Sequence, residues 1–304
     1  MAHRSGRPSM LNDEEINCEW PKPQELTTKI NSVYSTPLIM LAQLISQVTR
    51  KFSTVQAFQQ SPQAVAAIVV DLDRKTTAFE EYIRPHIAFE HPTEPPRASS
   101  GLSNQQAIYI RLLYFILVVG IYSTLTNPSC RTALNFKDSP DVQLQVEKST
   151  EIVVKASRTA ILTAHYIHVD ANTPILLSFF GPLCAEINLS IHHIFEAPER
   201  STTQSDLALL DIGSAHFSRV EFSTGLSFPF AKDMAALARN FVQRVKSAPT
   251  SNAGGKNVAG EFMTGLLGTA LSGGNSHRQD NFGAIFSPVR ILGDYSQIPQ
   301  QIHL

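Results

Sequence analysis

From Leu112 to Leu125 (LLYFILVVGIYSTL) the chain runs without a single charged residue, and this run limits what the chain can fold into more than any other feature. So apolar a segment has to leave water, either into a bilayer or into a protein core. A bilayer span needs about 20 apolar residues, whereas an uncharged run of about 10 to 14 is more often a buried core helix. Thr126, Asn127 and Pro128 follow and stop the run rather than extend it. The expectation is a central helix, apolar nearly all round from Ile108 onward and capped by Ser103, with no membrane partner.

A central helix needs others to cover it, and the flanking sequence supplies them with one recurring start signal. A hydroxyl residue followed at once by proline suits a helix cap and first position, where the missing N–H would lack a partner anyway. Thr36-Pro37, Ser61-Pro62, Ser139-Pro140 and Thr173-Pro174 are of this kind. After the first, Leu38, Leu41, Ile45, Val48 and Phe52 recur at spacings of three and four and form one stripe. After the second, Val65, Ile68, Leu72, Phe79 and Ile83 face inward, Asp71 with Lys75 and Glu80 with Arg84 make outward i,i+4 pairs, and Pro85 ends the helix. The third opens a segment with Val146, Val153, Ala160 and Ile167, beside which Ala156 and Ala164 allow close helix approach. The fourth opens a strongly apolar helix through Phe179, Phe180, Leu183, Ile187, Ile191 and Phe195, in which Pro182 removes the hydrogen bond to the Ser178 carbonyl.

A shorter segment from Ser205 uses Leu210, Gly213, Phe217 and Val220, and a last helix runs from about Phe230 through Met234, Leu237, Phe241 and Val245. No run of alternating β-branched residues competes. The fold class expected is all-α: an irregular array of seven helices over residues 35–246, entered by an extended segment, 1–34. From Lys246 the composition turns to Ser, Thr, Asn, Ala and Gly, which cannot bury enough surface to offset chain entropy, so 247–304 is expected to be a largely disordered tail. Within it Phe262, Met263, Leu266, Leu267 and Leu271 could form one short turn on a partner.

Charge and cysteine usage narrow the function classes. The 25 Lys and Arg nearly cancel the 26 Asp and Glu, leaving no excess field to hold a phosphate backbone. Cys18, Cys130 and Cys184 lack the C-x2-C spacing with which two thiolates share a zinc ion, and read as reduced core thiols of an intracellular protein. The first residues carry Arg4 and Arg7 but no apolar run of signal-peptide length. No G-x-S-x-G elbow, H-E-x-x-H helix, phosphate-binding loop or dinucleotide turn occurs. His165 and His168, three apart on one expected helix face, could approach a metal but lack a third ligand, while His192, His193 and His216 lie among apolar residues where a hydrogen-bonded structural histidine is expected. Adjacent acids such as Glu14-Glu15 and Glu80-Glu81 point apart on a helix and read as solvated surface. Phe179, Phe180 and Tyr166 could line a pocket between helices, or simply pack. The expectation is no catalytic, cofactor-binding or metal residue in this chain, and no enzyme.

One signature points further. Gly6-Arg7-Pro8, followed by Asp13-Glu14-Glu15-Ile16, resembles the G-R-P-x-x-x-x-D-E-[DE]-[IV] signature of the fungal-specific transcription factor domain, also called the middle homology region or xylanolytic-activator regulatory domain, of zinc binuclear cluster regulators. Ile108 to Leu125 is similar to that family's central Leu- and Tyr-rich helix, Arg158 to Leu189 to its next helix pair, and Ser205 to Phe222 to its late segment, so the resemblance covers residues 1 to about 246. Physically, Gly6 and Pro8 set a tight backbone path, and Arg7 could pair with Asp13 or Glu14. After the central helix, where members often carry His-Arg-Pro, this chain has Leu125-Thr126-Asn127-Pro128.

The resemblance implies the carboxy-terminal part of a helical regulatory domain acting in the nucleus, its partners other transcription-factor chains, the transcription machinery or a small-molecule effector. It implies zinc and DNA contacts only through an amino-terminal cluster not present among these residues, so no DNA-binding residue is assigned. Rival expectations are a standalone truncated paralogue that competes for dimerisation or senses a small molecule, and a helical metal-dependent enzyme built on His165 and His168.

Overall fold

A computed structural model describes residues 32–52, 60–87, 101–127, 140–170, 175–196 and 203–224, together with Ala236, Arg239, Asn240, Val242, Gln243, Lys246 and Ser247. Among these residues the fold is all-α, with six helices and no strand. We number them α1 (Ser32–Phe52), α2 (Pro62–Ile83), α3 (Asn104–Thr126), α4 (Pro140–Ala164), α5 (Ile175–Glu196) and α6 (Thr203–Thr224). The seven described residues from Ala236 to Ser247 are helical too, on the segment expected to form the last helix. Gly6, Arg7, Pro8, Asp13, Glu14 and Glu15, and the tail 248–304, lie outside the described residues.

The uncharged run is the middle of the fold. α3 packs against α1, α2, α4 and α5, and from Ala107 to Val119 every residue on it is buried. The helix is 23 residues long, so it exceeds the uncharged run and is long and apolar enough by length and composition to cross a bilayer, yet 78% of its most apolar window lies inside the fold. Its neighbours do what lipid would otherwise do. The start is fixed by a reciprocal cap: Gln106 N donates to Ser103 Oγ at 3.2 Å, and Ser103 N donates to Gln106 Oε1 at 2.9 Å.

α2 matches the expectation from its sequence. Ser61 Oγ accepts from Ala64 N at 3.2 Å with Pro62 first in the helix, and Lys75 and Arg84 reach Asp71 and Glu80 at 2.9 and 3.1 Å. Two tyrosines of α3 bind it from the inside: Tyr114 donates to Glu80 Oε2 at 2.7 Å and Tyr122 donates to Asp73 Oδ1. The tyrosines are eight residues apart and the acids seven, so two antiparallel helices meet at two matched rungs. α1 buries Leu41, Leu44, Val48 and Phe52, but it begins at Ser32, before the expected Thr36-Pro37 start. Pro37 falls in its second turn, where its missing N–H forgoes only the bond that the Val33 carbonyl would have accepted.

α4 carries its small residues Ala156, Ala160 and Ala164 buried and packs on both α3 and α5. Gly181 allows a similar closeness between α5 and α3, since a Cβ there would stand 3.2 Å from Ile116 Cδ1. α6 is 22 residues long, not the short segment expected, and buries Leu210, Gly213, Phe217 and Val220 against α4 and α5. Beyond it Lys246 reaches Asp211 at 2.7 Å and Arg239 reaches Glu221 at 3.4 Å, which lays the last helical residues antiparallel along α6.

Candidate functional site

The strongest concentration of buried polar chemistry lies where α4, α5 and α6 meet, and it begins with a proline. Pro182 within α5 has no N–H, so the Ser178 carbonyl loses its helical donor and, being fully buried, needs another. His216 of α6 provides it: Nε2 lies 2.9 Å from the Ser178 oxygen. Because a carbonyl can only accept, Nε2 carries the proton and Nδ1 is left as an acceptor. Nδ1 is met at 3.0 Å by Nη2 of Arg219, one turn further along α6.

Arg219 also closes α4. Its Nη2 donates to the Ala164 carbonyl, which also accepts from Ile167 N, and its Nη1 to the exposed His165 carbonyl, both at 3.1 Å, so the guanidinium sits at the end of the helix. One guanidinium and one imidazole thus join the end of α4, the interior of α5 and α6. His216 is 4% exposed, and burial, together with the positive charge of Arg219, pushes its pKa down to about 4, so the imidazole stays neutral. Phe179 and Phe217 pack beside the junction with ring centroids 5.0 Å apart.

Two further groups extend this polar interior. Arg158 of α4 makes a bidentate pair with Asp206 of α6, at 2.7 and 2.8 Å, in which the carboxylate is buried and the guanidinium half-buried. Glu186 of α5 is fully buried with, among the described residues, no hydrogen-bond donor at either carboxyl oxygen, and Gly213 of α6 lies opposite, where a Cβ would stand 3.5 Å from the Glu186 Cδ. Burial, reinforced by the charge of Asp211, raises the pKa of Glu186 well above its ordinary value and so favours the neutral carboxyl.

These residues were only partly foreseeable. The sequence identified the carbonyl orphaned by Pro182 and the structural character of His216, but not that one answers the other. Glu186 was not foreseen, although a signal for it exists: Phe179, Leu183, Glu186 and Ser190 share one face of α5, and an acid in such a stripe must be buried. Arg158 and Asp206 are 48 residues apart, and no local pattern pairs them.

The histidine pair expected on a helix face is not there. α4 ends at Ala164, so His165 and His168 sit on the turn beyond it, where Tyr166 N and Ile167 N bond back to the Thr163 and Ala164 carbonyls. His165 packs edge-on against Tyr166, and the exposed His168 lies 3.8 Å from Asp170. Ile167, expected on the helix stripe, is buried just past its end. Among the described residues no three His, Cys, Asp or Glu side chains are grouped to hold a metal ion. Phe179 packs on Phe217 and Tyr166 on His165, while the side chain of Phe180 is outside the described ones. Glu80, expected to be solvated, is shared between Arg84 and Tyr114, whereas Glu81 is exposed. Compared with known proteins, the chain matches no family model, no curated protein and no solved structure.

Proposed function

We propose that this chain is a helical regulatory module of a nuclear transcription regulator, working by contact and conformational coupling rather than by catalysis. The single observation behind this reading is the junction at Arg219 and His216. Its buried polar groups are spent on joining three helices to one another, so a displacement at one helix end is communicated to the other two. The signature Gly6-Arg7-Pro8 with Asp13-Glu14-Glu15, and its resemblance to the regulatory domain of zinc-cluster factors, supplies the transcriptional context. The near-zero net charge agrees with a module that leaves DNA contact to another part of its assembly. Zinc, on this reading, belongs to that other part, and the partners are other regulator chains, the transcription machinery or a small effector.

The test is a reporter assay with the full chain fused to a heterologous sequence-specific DNA-binding domain. The fusion should change reporter output several-fold over the DNA-binding domain alone, in either direction. Arg219→Ala in the fusion should bring that change back toward baseline at equal protein level. Output indistinguishable from the DNA-binding domain alone contradicts the reading.

A further inference from the structure

Glu186 takes no part in the contacts that join the three helices, and its placement demands a separate explanation. A carboxyl group normally meets donors at both oxygens, and an ionised one in a protein interior is stable only when paired. Here both oxygens are buried, and among the described residues neither finds a donor. The charged groups on every neighbouring helix are already engaged or repel it. On α6, Asp211 carries like charge and is held by Lys246 at 2.7 Å, and Arg219 is bound to His216 and to the carbonyls of α4. On α4, Arg158 is committed to Asp206, and on α3, Arg111 lies over the Phe115 ring at 5.8 Å. His216 presents its two nitrogens to Ser178 and Arg219.

What faces the carboxyl instead is the glycine of α6. With no side chain at Gly213, the acid lies against the α6 backbone, 3.5 Å from where a Cβ would be. Ser190, one turn along α5, is another fully buried side chain whose oxygen has no partner among the described residues. α6 packs mainly on α4 and α5, and to leave them it must give up its contacts with Arg158, with the Ser178 carbonyl and with the end of α4.

We propose that Glu186 is a proton-controlled latch for α6, which stays seated on α5 while the carboxyl is neutral and is released when the carboxyl ionises and takes up water. Release uncovers the apolar face of Leu210, Phe217 and Val220, which the seated helix buries. The latch is independent of what the module regulates, so it stands or falls separately from the transcriptional reading.

Amide hydrogen exchange on the full chain, corrected for intrinsic rates, tests this with Glu186→Gln, which keeps the shape and cannot ionise. The quantity read is the opening constant of 203–224 in the wild type divided by that in E186Q. A single linked proton makes this ratio rise about tenfold per pH unit from about pH 5 upward, levelling at the carboxyl's own titration in the seated state. Residues 104–126 should stay protected throughout. A ratio that does not change with pH overturns the latch, and so does opening of α3 in step with α6. Infrared spectroscopy of the wild type provides a readout that needs no variant: a protonated carboxylic acid band should be present at about pH 6, well above the ordinary carboxylate range, and fade as α6 loses protection. Absence of that band also overturns the proposal.

Discussion

At residue scale, His216 and Glu186 are two buried titratable groups whose effects on stability have opposite signs. His216 titrates at about 4 in the fold and at 6.5 when free, so the unfolded chain takes up the proton first and stability is lost as pH falls from 6.5 toward 4. The size of that loss is roughly 3 kcal/mol, since each tenfold difference in proton affinity between the two states is worth about 1.4 kcal/mol. Glu186 is raised above its free value of 4.5, so the folded chain holds its proton longer and stability is lost as pH rises from there. Between about 4.5 and 6.5 the two slopes oppose each other. Denaturation by urea should therefore show a nearly flat stability over this window in the wild type and a rising one in Glu186→Gln. A wild-type profile that climbs as steeply as the variant's would show that Glu186 is ionised in the fold. In the sequence, the acid in the α5 stripe was visible as an anomaly, but its surroundings were not, because Gly213 and Asp211 reach it from 25 or more residues away only after α6 has folded back.

The helices themselves were legible in most respects, because periodicity and caps are local. Ser61 and Ser103 cap α2 and α3 as their sequences predict, and the inward face of α2 is close to the one its apolar spacing defines, with Val69 buried and Ile68 half-buried. Failures cluster at ends. α1 starts before its proline at the loss of the one bond to the Val33 carbonyl, and α4 gives way after Ala164 to a turn whose carbonyls Arg219, 55 residues further on from Ala164, meets. Tertiary partners decide such boundaries and periodicity does not report them. Arg219→Ala removes the donor to the buried His216 Nδ1, while the Ala164 carbonyl keeps Ile167 N and the exposed His165 carbonyl turns to water, so it should destabilise the chain by about 2 kcal/mol, since one buried acceptor left unmet costs about 1 to 3 kcal/mol. Arg219→Lys should recover only part of that loss, because one ammonium cannot span three acceptors held in fork geometry. Urea midpoints check both; equal stability of R219A and wild type would mean that His216 Nδ1 is met by solvent. Between α2 and α3, Tyr122→Phe removes one of the two rungs and leaves Asp73 at the surface to be hydrated, so its expected cost is about 1 kcal/mol. A double-mutant cycle with Asp73→Asn measures the coupling, and a coupling of zero would show that the rung contributes nothing.

The molecule as a whole is arranged around α3, and that arrangement follows from the uncharged run more directly than from anything else in the chain. Its composition allowed a bilayer or a core as its surroundings, and within the fold α1, α2, α4 and α5 cover it. The order of packing was not legible: nothing local says that α4 lies against both α3 and α5, or that α6 folds onto α4 and α5 rather than onto the centre. Helix identity is written in spacing, while helix arrangement is written in contacts between residues far apart in sequence, such as Tyr114 with Glu80 and Arg158 with Asp206. α3 is the buried centre of the helical array. Amide hydrogen exchange of the whole chain in detergent-free buffer tests it most directly. Residues 104–126 should exchange more slowly than any other helix, with α4 next. Exchange over that segment as fast as in 32–52, or protection that appears only when lipid or detergent is supplied, would contradict it.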